Sequence, residues 1–244
     1  MKNTNKSFSG FTFGEKGGVI FDYSDNKFPT VLHAYNHGEM FELRPGSTYF
    51  VYQYEGRSLL HSTDKNMESV VLCPEQYACI KSKEVSSISF LGQALVIEKL
   101  DYFGMHTFGG PIESLGRLKY IDGCTDSLLI PPVKLGDPCL NALFFPRNIN
   151  QTQHTHPSMR VGIVIRGKGE CITPEGNIPL VAGLIFIIHE DGLHSFKTDE
   201  HSGMVVIAYH PDSDFGPTDE EHPMINRTIV EGVSAKDIPE IQTK

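Results

Sequence analysis

The chain has 244 residues, 39% of them hydrophobic and 21% charged, a balance that suits an ordinary globular protein and argues against a disordered or membrane-embedded one. At about 100 to 150 residues per domain, this length favours two domains. The net charge of −9 supplies no basic footprint for nucleic acid or an anionic membrane, both of which reward clustered Lys and Arg. Small-molecule partners are therefore expected.

In chain order, the opening MKNTNKSFSGFTFGEK holds no apolar run of signal-peptide length, and no later stretch approaches the roughly 18 apolar residues of a membrane helix. A cytoplasmic location follows as the expectation. With 23 Gly and 15 Pro, few segments keep apolar residues at a helical period. Short β-branched and aromatic runs recur instead: Ser47 to Tyr54, Val70 to Leu72, Ile88 to Ile97, Val161 to Ile165 and Val205 to Tyr209. Such runs between turn residues predict an all-β barrel or sandwich.

The two halves follow one plan. YFVYQYEG, ending at Gly56, precedes LCPEQYACI; VGIVIRG, ending at Gly167, precedes LVAGLIFII. Between them, residues 101–137 are rich in turn signals (Gly109, Gly110, Pro131, Pro132, Gly136) and predict a crossover. After Tyr209 the alternation stops, and 211–244, with its HPDSDFGPTDEEHPMINRT, predicts a segment that wraps a barrel or a partner subunit.

The chemistry concentrates in the second half. In His154-Thr155-His156, alternate residues of a strand would turn both imidazoles to one side. Further on, Asp191-Gly192-Leu193-His194 ends another apolar run, so that a turn could return His194 to the same interior. Three imidazoles with open positions suit Fe(II), Mn(II), Ni(II), Cu(II) or Zn(II) without selecting among them.

These residues resemble the cupin superfamily, whose first motif is G(X)5HXH(X)3-4E(X)6G and whose second is G(X)5PXG(X)2H(X)3N. His154 and His156 fill HXH, Arg160 stands where the motif has Glu, and Gly167 closes it; Gly183 and His194 keep the spacing of the second motif. His189, Asp191 and Thr198 stand where that motif has Pro, Gly and Asn. The resemblance implies two fused cupin jelly-roll barrels, with an N-terminal barrel over 11–100, a crossover over 101–137, a metal-binding barrel over 138–210 and the wrapping segment over 211–244. Positions equivalent to the three histidines in the first half fall near Leu43, Pro45 and Ser86 or Ser87, which predicts a metal-free N-terminal barrel.

The resemblance further implies Fe(II) as the first choice of metal, O2 as a co-substrate, and a homodimer. Arg160 is read either as a structural ion pair or as a clamp for a substrate anion. His189 is read as a fourth ligand or a proton carrier, with His210 and His222 as further acid-base candidates. The five cysteines lack CxxC spacing and are expected to be free thiols, with Cys124 and Cys139 more simply buried than nucleophilic. Tyr120, Asp122, Asp126 and Asp137 are second-rank candidates in the crossover. Together these features predict a metal-dependent oxygenase acting on a small, anionic organic substrate. The alternatives are a non-redox Mn or Zn lyase or isomerase, and a ligand-binding cupin without catalysis.

Overall fold

The structure is a computed structural model that describes residues 6–63, 68–83 and 85–242. It is an all-β jelly roll. The first half contains β1 (Phe8–Phe11), β2 (Gly18–Tyr23), β3 (Thr30–Tyr35), β4 (Glu39–Glu42), β5 (Ser47–Glu55), β6 (Ser58–Ser62), β7 (Val70–Leu72), β8 (Tyr77–Lys81), β9 (Val85–Phe90), β10 (Gln93–Leu100) and β11 (Thr107–Gly109). The second contains β12 (Leu118–Lys119), β13 (Thr125–Ile130), β14 (Cys139–Phe145), β15 (Arg160–Thr173), β16 (Gly176–Val181), β17 (Ile185–Ile188), β18 (Ser195–Lys197) and β19 (Met204–His210). A short helix α1 (Pro223–Arg227) and the hairpin β20 (Ile229–Val230) and β21 (Val233–Ser234) follow.

The plan shared by the two halves is explicit in the pairing. One sheet runs β11-β8-β5-β10-β3-β2, and the other runs β1-β17-β15-β19-β14-β13-β12, whose first six strands follow the same order before β12 extends it. A smaller sheet, β4-β9-β6-β7, faces the first; β16 and β18, paired to the far end of β15, face the second. β1 is exchanged: it precedes the first half in sequence yet pairs with β17 of the second. The segment read as a crossover, 101–137, holds strands as well as turns, since β11 closes the first sheet while β12 and β13 extend the second.

Gly56 and Gly167 hold equivalent turns at positive φ (68° and 71°), where an added Cβ would overlap the carbonyl oxygens of Leu91 and Gly203. Only glycine meets both demands. The run from Ile88 to Ile97 divides at Leu91 and Gly92 into β9 and β10.

The two large sheets pack face to face. Leu32, Phe50, Leu95 and Ile97 of the first meet Leu140, Val161, Ile163, Ile187, Ile207 and Tyr209 of the second in one buried cluster. Each half has its own interior on the opposite face, around Tyr35, Tyr49, Ile88 and Phe90 in the first and Leu143, Phe186, Phe196 and Val206 in the second. Because both faces are covered, β3, β14 and β17 are buried throughout rather than alternately. Alternation persists as a choice of interior: on β17, β19 and β15 as far as Ile165, the odd-numbered residues face the sheet-to-sheet core and the even-numbered ones face the second half's interior.

Candidate functional site

His154, His156 and His194 converge in the second interior, with one nitrogen of each within 4.8 Å of the other two. Ring centroids lie 5.0 Å apart for His154 and His156, 4.5 Å for His154 and His194, and 5.3 Å for His156 and His194. The backbone route differs from the one expected. His154 and His156 are not on a strand but in the connection between β14 and β15, where Pro146 and Pro157 withhold ladder donors. What fixes them is one isolated bridge, in which the His154 and His194 amides donate to each other's carbonyls at 2.9 and 3.0 Å. The Asp191 amide also donates to the His156 carbonyl at 2.8 Å.

Two ring orientations are set locally. His154 Nδ1 lies 2.8 Å from the Thr152 carbonyl, and His194 Nδ1 lies 2.9 Å from the Gly192 carbonyl. A carbonyl can only accept, so each Nδ1 carries a proton and each Nε2 is the nitrogen left to face an ion. Burial, then the Arg160 charge and the other two imidazoles, lower the pKa of His156 to about 3. Burial likewise lowers that of His194 to about 4, against the raising effect of its Gly192 hydrogen bond. His156 and His194 are therefore neutral at ordinary pH, as metal ligation requires, and the set of three fits a divalent ion in donor type and spacing.

The triad opens into a cavity of about 30 Å3 walled by Leu143, Val161, Phe186, Ile188, Phe196, Val206 and Ala208, with Tyr120, Arg160 and His210 as its other polar lining. Arg160 enters because it is an even-numbered residue of β15. Its Nη1 donates to the carbonyls of Ser158 and Met159 and to Asp212 at 3.3, 3.1 and 3.3 Å, and also contacts the Ser158 hydroxyl. Its Nε is buried without a hydrogen-bond partner. Asp212, at the start of the C-terminal segment, carried no sequence signal as this anchor.

His189 is an odd-numbered continuation of β17, so period two turns it away from the triad. It sits between the halves, with Nε2 2.8 Å from Ser9 Oγ and its ring 5.8 Å from Phe21 and 6.3 Å from Tyr23. That position corrects the reading of it as a fourth ligand or a proton carrier. His222 caps α1 by accepting from the Met224 amide at 3.2 Å. Asp122, Asp126 and Asp137 accept from Thr152, Asn141 and Lys134, respectively, as stabilisers of local structure. All five cysteines are free, and burial pushes the Cys124 and Cys139 thiols up to about 11 and 12, which removes them as nucleophiles.

In the first half, the frame that carries the triad is retained without its chemistry. The Leu43 amide donates to the Ser86 carbonyl at 2.8 Å, as His154 does to His194. Leu43, Pro45 and Ser86 thus stand where the second half has histidines.

No family model and no curated protein matches this sequence. Solved structures do. A cupin 2 conserved barrel domain protein from Leptotrichia buccalis superposes with a TM-score of 0.60 at 10% identity, over 82% of this chain and 95% of the other. The fold is that of the cupins. Ylba from E. coli aligns with a TM-score of 0.59 at 13% identity, over 88% and 94% of the two chains. An oxalate decarboxylase from Bacillus subtilis aligns at 0.52 and 11% identity, over 86% and 79%. At such identities the likeness carries the cupin fold and no activity. Among the described residues, no helix is long and apolar enough to cross a membrane.

Proposed function

We propose that this chain is a metal-dependent enzyme of two fused cupin barrels. His154, His156 and His194 hold one divalent ion in the second barrel, the first barrel is metal-free, and the substrate is a small organic anion met by Arg160. The observation that carries this reading is the convergence of three imidazoles in one largely apolar cavity that Arg160 also lines. A bound ion would supply Lewis acidity and, if redox-active, a site for O2.

The chain's own groups do the rest. The apolar walls exclude water, Arg160 orients the anion, and Tyr120 and His210 are the remaining polar groups within reach of a bound substrate. Fe(II) and an oxygenase reaction are the first choice, with a homodimer as the working assembly. A non-redox lyase or isomerase is the second reading, favoured by the Mn(II) centres of a Bacillus subtilis oxalate decarboxylase that shares the fold.

Elemental analysis of the purified protein, coupled to O2 uptake with a panel of small carboxylates, diketones and thiols, separates these readings. Iron near one per chain with substrate-linked O2 consumption supports the oxygenase. Manganese or zinc without uptake supports the lyase or isomerase. Absence of any metal, even after loading with Fe(II), Mn(II) and Zn(II), rejects the enzyme reading.

A further inference from the structure

The space between the two large sheets is closed at one edge and open at the other. At the closed edge β2 of the first sheet meets β1 of the second. Phe11 and Phe21 lie 5.8 Å apart there, Phe21 stacks on Tyr23 at 5.2 Å and Phe13 stacks on Tyr54 at 5.6 Å. At the open edge β8 of the first sheet, β12, β13 and β14 of the second and the 110–117 connection border a cleft of about 500 Å3. Small-molecule pockets run from roughly 300 to 1,000 Å3, so this one is of ligand size.

The two edges are counterparts in the duplicated plan and can be compared residue by residue. Tyr52 and Ile163 each stand four residues before the closing glycines, Gly56 and Gly167. They pair with Tyr77 and Ile185, which pair in turn with Gly109 and Phe11. Gly109 therefore stands where the closed edge has Phe11, and Pro111, two residues on, stands where it has Phe13. Only the Tyr77 side chain, folded over Gly109, takes up part of the room those rings would fill. The same register makes Glu98 the counterpart of His210, since they follow the pairs Phe50 with Ile97 and Val161 with Tyr209.

The walls state what else an occupant needs. Ile112, Leu129, Ala142 and Phe144 make an apolar floor. The two charged residues of the lining cancel, because Arg117 Nε donates to both carboxylate oxygens of Glu113 at 3.1 and 2.8 Å. A charged ligand would lose its hydration there without gaining a counter-ion. Two hydroxyls remain. Ser127 is buried and accepts the Arg117 amide at 3.1 Å, while no described residue takes its own proton or that of Tyr77.

We infer that this cleft binds a neutral small molecule with an aromatic ring and a hydrogen-bond acceptor. The ring takes the room left by the missing counterparts of Phe11 and Phe13 and packs on Tyr77 and Phe144, and the acceptor meets the hydroxyl of Ser127 or Tyr77. The second large sheet separates this cleft from the triad, so the inference stands without the metal reading.

The test is a fluorescence titration of the full chain with the neutral naphthyl ketone prodan, followed by displacement with 2-acetonaphthone and with 2-naphthoate. One saturable site per chain is expected, with the ketone competing at least tenfold better than the carboxylate. Leu129→Trp, which puts a ring into the cleft from its own wall, should weaken prodan tenfold or more, and Ser127→Ala threefold or more. His194→Ala should leave prodan affinity unchanged. The chain has no Trp, so Leu118→Trp, at an exposed position on the rim, places a single fluorescence donor beside the site, and its emission should pass to bound prodan. Absence of saturable binding to the unaltered chain overturns the inference, as does a carboxylate that competes as well as the ketone. Affinity that survives both Leu129→Trp and Ser127→Ala, or that falls in His194→Ala, places the ligand elsewhere and overturns it too. The ketone and carboxylate comparison on the unaltered chain needs no variant to fold.

Discussion

The two halves have the same strand order and the same closing glycine, yet one interior is filled and the other is hollow. In the first, Tyr35 stacks on Phe90 at 4.5 Å, Phe41 packs on His33 at 4.8 Å and on Tyr35 at 5.3 Å, and the Glu98 network closes the remainder. In the second, the corresponding space is lined by the triad, Arg160 and His210. Duplicating a frame lets one copy be committed to packing and the other to chemistry, because a few side chains decide whether an interior is a core or a site. Burial of Glu98 would raise its pKa, but its hydrogen bonds from His33, Ser47 and Tyr49 and the charge of Arg44 prevail, so the carboxyl lies below its ordinary 4.5.

Breaking this comparison at the hollow half should have the largest effect. His194→Ala is expected to abolish metal binding, from about one ion per chain to less than a tenth by elemental analysis, with the far-ultraviolet dichroism unchanged. Retained metal in this variant and in His156→Ala would remove the triad assignment.

Breaking it at the filled half should cost stability and leave metal alone. Glu98→Ala strips a buried carboxylate from its partners and is expected to cost about 3–5 kcal/mol in urea unfolding, with metal content as in the unaltered protein. A loss of metal there would show that the two interiors are coupled.

The pH dependence sharpens the same point. A carboxyl held below its unfolded value stabilises the fold above about pH 4.5, and that contribution disappears as pH falls through the folded-state pKa. Stability of the unaltered chain should therefore drop on the acid side of 4.5, with a shallower fall in Glu98→Gln. The smallest effect is expected where the halves meet. Ser9→Ala removes the contact with His189 and should cost about 0.5–1.5 kcal/mol, read as a shift in the urea midpoint with metal occupancy unchanged.

Much of this was legible in the chain. The spacing of His154, His156 and His194 and the closing Gly167 identified a metal-ready set, and the same count reached Leu43, Pro45 and Ser86 as positions without ligand chemistry. The placement of His189 was not legible, because a motif position says nothing about which of two covered faces a side chain enters once both faces are buried. Neither was the exchange of β1, since a four-residue strand records its composition and not its partner.

The sequence by itself determined the all-β class, the turn glycines and the ligand spacing, because period-two patterning, φ restrictions and ligand chemistry act over short stretches of chain. Tertiary structure alone decided that Asp212 anchors Arg160, that His210 faces the triad, and that Glu98 fills the equivalent position in the other half. Arg160 and Asp212 are 52 positions apart and His33 and Glu98 are 65 apart, and such relations are fixed by sheet register and by the packing of two large sheets on each other, which no local pattern encodes.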